Sequence, residues 1–251
     1  MNVLMNKKLH SIKNAKMNVF SFGWYIYIIF TVIILFVLFK LKNQLDYDTK
    51  RNIILKLSIF EYILLRIYKR SLKSVYDEYN YFNELPCYLC NQSTILCIIA
   101  ALTGNSILMS FCTTIGAIGC LLALLMPDKY YIDRPFFSRQ TYGFYGYHCL
   151  LLISCLSFYL LGLYIPNPND ALWCLIIHLI LGLISHLTNT ILRKTKLNPT
   201  SNYTFTYEPE NETLEMFYKL FPVRYFYLVP VAVLLSLSGY LFLWILRIIN
   251  I

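Results

Sequence analysis

The chain has 251 residues and a net charge of +9; 58% of its residues are hydrophobic and only 14% are charged. This composition excludes an ordinary soluble domain and indicates a polytopic membrane protein. The positive charge does not indicate a nucleic-acid partner, because the Lys and Arg residues lie in loops that flank apolar runs rather than in one basic stripe.

Seven apolar runs predict seven transmembrane helices and therefore an all-α fold, since one span needs roughly 20 mostly apolar residues. The runs begin near Phe22, Ile53, Tyr88, Ile107, Gly143, Ala171 and Tyr225. The second run is the weakest, because it contains Lys56, Glu61 and Arg66. Its central carboxylate is expected to pair with another helix or to line a substrate path, unless this helix lies on the membrane. The chain thus divides into a basic leader over residues 1–21 and one seven-helix domain over residues 22–251.

The distribution of Lys and Arg predicts the orientation in the membrane. If all seven runs span, most of these residues lie in the loops on the N-terminal side, as expected for the cytoplasmic face. We therefore expect a multi-pass protein of the cell membrane with a cytoplasmic N-terminus and an external C-terminus. The leader lacks a small-residue cleavage site, so the first run is expected to remain as a span. Membrane lipids are the expected partners, and the oligomeric state stays open.

The candidate site begins with the segment Leu85-Pro-Cys-Tyr-Leu-Cys-Asn91, where a polar loop becomes the third apolar run. Cys87 and Cys90 are spaced one helical turn apart, and a helix N-terminus is expected to lower the pKa of the Cys87 thiol. His148 lies in the fifth run, which enters the membrane from the same side, and Asn189 ends the sixth run there. A thiol, an imidazole and a carboxamide at similar depth are typical of a nucleophile, its base and an orienting group.

These residues also have structural interpretations. Cys87 can be a passive interfacial thiol, Cys90 can pack between helices, and His148 can bond a backbone carbonyl. The Cys87-x-x-Cys90 spacing is also that of a thiol–disulfide oxidoreductase, although a cytoplasmic pair is kept reduced. Five of the eight cysteines lie within apolar runs, where a thiol behaves as a small hydrophobic group. The scattered Cys and His residues predict neither a metal site nor a cofactor.

The motifs around these residues resemble those of a known family. Leu85-Pro86 followed by Leu89-Cys90-Asn91 resembles the LPLHLCN start of a core helix in YwaF-type bacterial membrane proteins. The resemblance covers about residues 22–248, and its other motifs are Leu102-Thr103-Gly104-Asn105, Leu125-Met126-Pro127-Asp128, His148, Asn202-Tyr203, Glu208-Pro209 and Phe221-Pro222 with Tyr225.

Eukaryotic relatives, the transmembrane protein 164 family, are acyltransferases that remodel phospholipids with a Cys in a Pro-Cys-His arrangement and a distal His. Pro86-Cys87 matches the Pro-Cys, and His148 matches the distal His. Tyr88 departs from the pattern, because both branches usually have His there. The resemblance implies a lipid acyltransferase or acyl hydrolase with a Cys87 thioester and His148 as general base. The residues expected to orient the His or to contact the lipid are Cys90, Asn91, Asn189, Asn202 and Tyr203. A transporter, receptor or assembly component is the alternative.

Overall fold

The computed structural model describes residues 16–71, 80–127, 131–210 and 212–249. The helices of these residues are α1 (Phe22–Leu41), α2 (Tyr47–Ser71), α3 (Leu89–Thr103), α4 (Ser106–Leu125), α5 (Arg139–Leu160), α6 (Asp170–Lys194), α7 (Glu212–Leu220) and α8 (Val229–Ile249). Single 3₁₀ turns lie at Tyr81–Asn83, Tyr203–Phe205 and Phe226–Leu228. The chain is therefore an all-α polytopic membrane protein, as predicted.

Five of these helices are long and apolar enough to cross a membrane: α1, α4, α5, α6 and α8, the last counted from Phe226. They coincide with five of the seven expected runs. The second run forms the 25-residue α2, which carries charged side chains along much of its length. The third run forms α3, whose 15 residues reach only about 22 Å, less than the ~30 Å of a bilayer core. The count of seven spans therefore stays a prediction.

Helix α5 lies at the centre of the fold, where it contacts α1, α2, α3 and α4. Two glycines permit this close packing. A Cβ on Gly143 would lie 2.1 Å from the Tyr68 ring of α2, and one on Gly116 of α4 would lie 2.9 Å from the Cys155 thiol. Helices α6 and α8 pack against each other and against α4. The outward faces of α1, α6 and α8 expose large apolar side chains, as a lipid environment requires.

Two of the described helices contain a π-helical segment, Cys112–Gly116 in α4 and Tyr142–Gly146 in α5. A π segment adds a residue to one turn and so changes the direction in which the following side chains point. In α5 the segment ends immediately before Tyr147 and His148. It therefore helps to set where the predicted imidazole lies.

A short strand pair connects the N-terminal side of α1 to the segment before α5. Strand β1 (Lys16–Met17) pairs antiparallel with β2 (Arg134–Pro135). The Asp133 amide donates to the Met17 carbonyl at 2.8 Å, and the Met17 side chain is fully buried. Most of the predicted leader, residues 1–15, lies outside the described residues.

Candidate functional site

The two cysteines of the Cys87–Cys90 segment lie in different surroundings. Helix α3 begins at Leu89, so Cys87 precedes the helix whereas Cys90 lies in its first turn. Cys87 packs with Leu192 of α6 and with Tyr203. Cys90 instead interacts with Cys120 of α4 and His148 of α5. The segment thus forms two neighbouring clusters rather than one dithiol site, and all eight cysteines are free thiols.

The backbone carbonyl of Cys87 is hydrogen-bonded by two side-chain hydroxyl groups. Its carbonyl accepts hydrogen bonds from Ser185 Oγ and Thr204 Oγ1, both at 2.7 Å. The Cys87 Sγ lies 3.8 Å from Thr188 Oγ1. These contacts join the start of α3 to α6 and to the 201–206 loop. His148 is not among the contacts described for Cys87.

Burial raises the pKa of the Cys87 thiol, and the Thr188 hydroxyl and the Lys69 ammonium only partly oppose this shift. The expectation that a helix N-terminus lowers this pKa was therefore wrong. The reason is that the thiol is buried against α6, where a thiolate is poorly solvated.

Asn189 is fully buried and uses both ends of its carboxamide to hold the 201–206 loop. Its Nδ2 donates to the Tyr203 carbonyl (3.0 Å) and to Thr206 Oγ1 (2.8 Å). Its Oδ1 accepts from Ser201 Oγ (2.6 Å) and from the Tyr203 amide (2.9 Å). These four contacts give the carboxamide a structural role behind Cys87, and none of them involves His148.

Asn202 and Tyr203 lie in the same loop but face different ways. Asn202 Nδ2 donates to the Glu208 carbonyl at 2.8 Å, and its Oδ1 accepts from the Tyr207 amide at 3.1 Å. Tyr203 donates from its hydroxyl to the Phe82 carbonyl. Its ring packs edge-on against Tyr88 with centroids 5.0 Å apart. Tyr203 therefore lies at the Cys87 cluster, whereas Asn202 orders the loop away from it.

His148 is oriented towards Cys90 by a backbone carbonyl. Its Nδ1 lies 2.8 Å from the Phe144 carbonyl, and since a carbonyl can only accept, Nδ1 carries the proton. In the neutral ring the other nitrogen, Nε2, is then the proton acceptor. The imidazole interacts with the Cys90 thiol, which makes Cys90 and His148 a thiol–imidazole pair. His148 is buried, whereas Cys90 is only half-buried.

A network of hydroxyl groups beside this pair joins three helices. Glu61 of α2 is 0% exposed; its Oε1 accepts from Thr94 Oγ1 at 2.5 Å and its Oε2 from Ser154 Oγ at 3.0 Å. The Tyr147 hydroxyl lies 2.8 Å from Thr94 Oγ1 and donates to Asn91 Oδ1 at 3.2 Å. Glu61 does reach neighbouring helices as expected, but its partners are hydroxyls rather than a cation. The network fixes α3 against α5 at the level of Cys90 and His148.

Buried thiols surround Cys90 on its α4 side. Cys120 interacts with both Cys90 and Cys155, and the sulfurs of Cys155 and Cys97 are 3.7 Å apart. Across the described ranges, no group of three or more Cys, His, Asp or Glu residues has the arrangement of a metal site. Cys97, Cys120 and Cys155 are fully buried, which fits the packing role expected of cysteines in apolar runs.

The predicted site residues thus divide between two clusters. Cys87, Asn189 and Tyr203 gather at α6, while Cys90, Asn91 and His148 gather between α3 and α5. Sequence reasoning missed several residues that build these clusters: Lys69, Thr94, Tyr147, Ser154, Ser185, Thr188 and Thr204. A signal was present for the α6 residues, because positions 185, 188 and 189 have the spacing of one helix face.

Comparison with known proteins gives one match. The model of the TMEM164 family matches residues 16–242, nearly the whole chain. No curated protein and no solved structure matches the chain.

Proposed function

Because the chain belongs to the TMEM164 family, we propose that it is a membrane enzyme that transfers or hydrolyses lipid acyl groups through a cysteine thioester. The observation that carries this proposal is the interaction of the Cys90 thiol with the His148 imidazole. The orientation of His148 by the Phe144 carbonyl supports it, because the ring then presents Nε2 as a base. The proposal places the active site near the cytoplasmic leaflet of the cell membrane.

The family resemblance favours Cys87 as the nucleophile, whereas the geometry favours Cys90. Cys87 is buried, has a raised pKa and lies with Thr188 rather than with an imidazole. Cys90 is half-buried and adjacent to His148. We therefore revise the sequence-based pair Cys87–His148 to Cys90–His148. Cys87 keeps a supporting role, since its carbonyl ties the start of α3 to α6.

The reaction needs two acyl-transfer steps. In the first, His148 Nε2 takes the Cys90 thiol proton while the sulfur attacks the ester carbonyl of a lipid. The tetrahedral intermediate collapses to a thioester, and the imidazolium returns the proton to the departing lipid alkoxide. In the second step, His148 removes a proton from water or from a lipid hydroxyl, which attacks the thioester. Collapse of the intermediate expels the Cys90 thiolate, and the imidazolium returns the proton to this sulfur. Water as acceptor gives hydrolysis, and a lipid hydroxyl gives transfer.

The experiment is acyl turnover by the full chain in lipid nanodiscs, with mass spectrometry of both lipids and protein. Cys90→Ala and His148→Gln should lose activity to a similar floor, since groups that act as a unit give non-additive losses. A positioned general base contributes about 10²–10⁴-fold. Cys149→Ala is the matched control, because that thiol follows His148 in sequence but lies against the Tyr27 carbonyl of α1.

The protein mass spectrum should show a hydroxylamine-sensitive acyl adduct on the peptide that contains Cys90. An adduct on Cys87, with activity lost in Cys87→Ala and kept in Cys90→Ala, would return the role of nucleophile to Cys87. Turnover that survives both substitutions would exclude a cysteine thioester. A wild-type chain without turnover on all tested lipids would favour the non-enzymatic alternative.

A further inference from the structure

The ammonium group of Lys69 is buried without a hydrogen-bond or ion-pair partner in the described part of the chain. Lys69 lies in the polar last turn of α2, outside the apolar helices that can span. Burial and the nearby Arg66 guanidinium lower its pKa to about 8. Buried charges are normally paired, because an unpaired ammonium loses the solvation that water would provide.

The nearby acid does not satisfy this ammonium. Glu84 is engaged with Arg66, whose Nη1 lies 2.5 Å from the Glu84 carbonyl oxygen and 3.9 Å from its Oε2. The other carboxylate oxygen of Glu84, Oε1, is itself buried without a hydrogen bond. Among the described residues one carboxylate therefore lies beside two cations, which leaves an excess positive charge there.

The aromatic ring of Tyr88 lies near the buried ammonium group of Lys69. The Lys69 Nζ lies 5.9 Å from the centroid of the Tyr88 ring, at the outer limit of a cation–π contact. Tyr88 as a whole is 37% exposed, so part of this residue faces the surroundings. On the outward side of α2, Ile63 and Ile67 are exposed apolar residues. These residues point to other sides of α2 than Lys69 does, but they show that lipid chains reach the last turns of the helix. The buried cation therefore lies at the level where lipid headgroups begin.

We propose that Lys69 binds the phosphate of an anionic phospholipid headgroup, with Tyr88 displaced from above the ammonium. Excess positive charge favours a lipid with net negative charge over a zwitterionic one. The position of Lys69 just beyond the exposed apolar residues of α2, at the level of lipid headgroups, favours a headgroup phosphate over free phosphate. This site is independent of the proposed reaction, since it requires neither Cys90 nor His148.

The test measures lipid binding by the full chain in neutral detergent, using native mass spectrometry and thermal unfolding. The probes are phosphatidylglycerol, phosphatidylcholine with the same chains, and inorganic phosphate. Wild type should bind phosphatidylglycerol on the order of tenfold more tightly than phosphatidylcholine. Both lipids offer a phosphate, but the choline cation of phosphatidylcholine is repelled by the excess positive charge. Lys69→Gln should abolish this preference, whereas Lys69→Arg should keep it.

Lys219→Gln is the matched control, because Lys219 is exposed and paired with Glu215 at 3.1 Å. Glu84→Gln should strengthen the preference, since it removes the competing negative charge. Lys69→Gln should also raise the unfolding temperature of the lipid-free protein, because it removes an unpaired buried charge, and this readout shows that the variant is folded.

An unchanged preference in folded Lys69→Gln would overturn the proposal. Equal protection of wild type by inorganic phosphate and by phosphatidylglycerol would overturn its lipid part. Binding that depends on Lys69 but survives in Cys90→Ala and His148→Gln, as expected, separates this site from the catalytic one.

Discussion

Replacing Glu61 by Leu should destabilise the protein, because it leaves the hydroxyls of Thr94 and Ser154 without their carboxylate acceptor. Leaving one buried hydroxyl unpaired costs about 1–3 kcal/mol, whereas side-chain hydrogen bonds in membrane proteins contribute about 0.6 kcal/mol on average. The Thr94 hydroxyl also has the Cys90 carbonyl at 3.2 Å as a second acceptor. Losing the Glu61 carboxylate should therefore cost Thr94 a free energy at the lower end of the range of about 1–3 kcal/mol. Together these effects give about 2 kcal/mol.

The assay is thermal unfolding of purified variants in one detergent. For a chain of this size 1 kcal/mol shifts Tm by about 2–4 °C, so Glu61→Leu should lower Tm by about 4–8 °C. Glu61→Gln is the control, since it keeps the shape and an oxygen acceptor for Thr94 while its amide can donate to Ser154; it should remain within about 2 °C of wild type. An unchanged Tm for Glu61→Leu would refute the assignment of the network as the link between α2, α3 and α5. Equal losses in both variants would show that the carboxylate itself is required.

Three further predictions concern other parts of the chain. Alkylation of Cys87 should be slower than that of an ordinary thiol at pH 7 and should accelerate as the pH rises, because burial raises its pKa. Lys69→Gln should slow the alkylation further, because it removes the charge that favours the thiolate. Equal alkylation rates in wild type and Lys69→Gln would contradict this prediction. Binding of anionic lipid should weaken as the pH rises from 7 to 10. The reason is that Lys69, which faces Arg66, Glu84 and Cys87, loses its proton above its pKa of about 8. Lys69→Arg should keep its lipid affinity over this pH range, and a wild-type affinity that does not depend on pH would argue against the site. Gly143→Ala should strongly lower Tm or expression, because its Cβ would clash with the Tyr68 ring. Gly119→Ala is the control and should be tolerated, because its Cβ would lie 3.6 Å from Leu89. Similar effects of the two substitutions would refute the close packing of α2 on α5.

Hydrophobic patterning predicted the long helices well, because each of α1, α4, α5, α6 and α8 must present apolar side chains to lipid or to the core. It was less informative for α2 and α3. Glu61 of α2 is buried because hydroxyl groups of α3 and α5 hydrogen-bond to its carboxylate. A single sequence does not indicate which residues become such partners. Helix α3 begins at Leu89 rather than at Tyr88 and ends at the left-handed Gly104, which makes it short.

The sequence indicated the residue types of the candidate site, but it did not indicate which of these residues lie together. Sequence depth predicted a thiol and the His148 imidazole at a similar level, and Cys87 was expected to be that thiol because of the family motif and the helix N-terminus. In the structure His148 instead interacts with Cys90. Which thiol faces α5 depends on where α3 begins and on how α3 rotates against its neighbours. The π segment before His148 also changes the direction of the imidazole, and no residue pattern in the run announced it. Asn189 was expected at the cytoplasmic end of the sixth run as an orienting group, but its partners in the 201–206 loop depend on tertiary packing.

The β1–β2 pair has a consequence for the order of assembly during synthesis. Asn18 Nδ2 donates to Asp133 Oδ1 at 2.9 Å, although the two residues are 115 positions apart in the chain. The partner of β1 therefore emerges from the ribosome only after α1 to α4 have been made. Until then β1 has unpaired backbone groups and Met17 lacks its burial site. Closure of this strand pair thus marks the completion of the first four helices, and it joins the earliest described segment to the helix that carries His148.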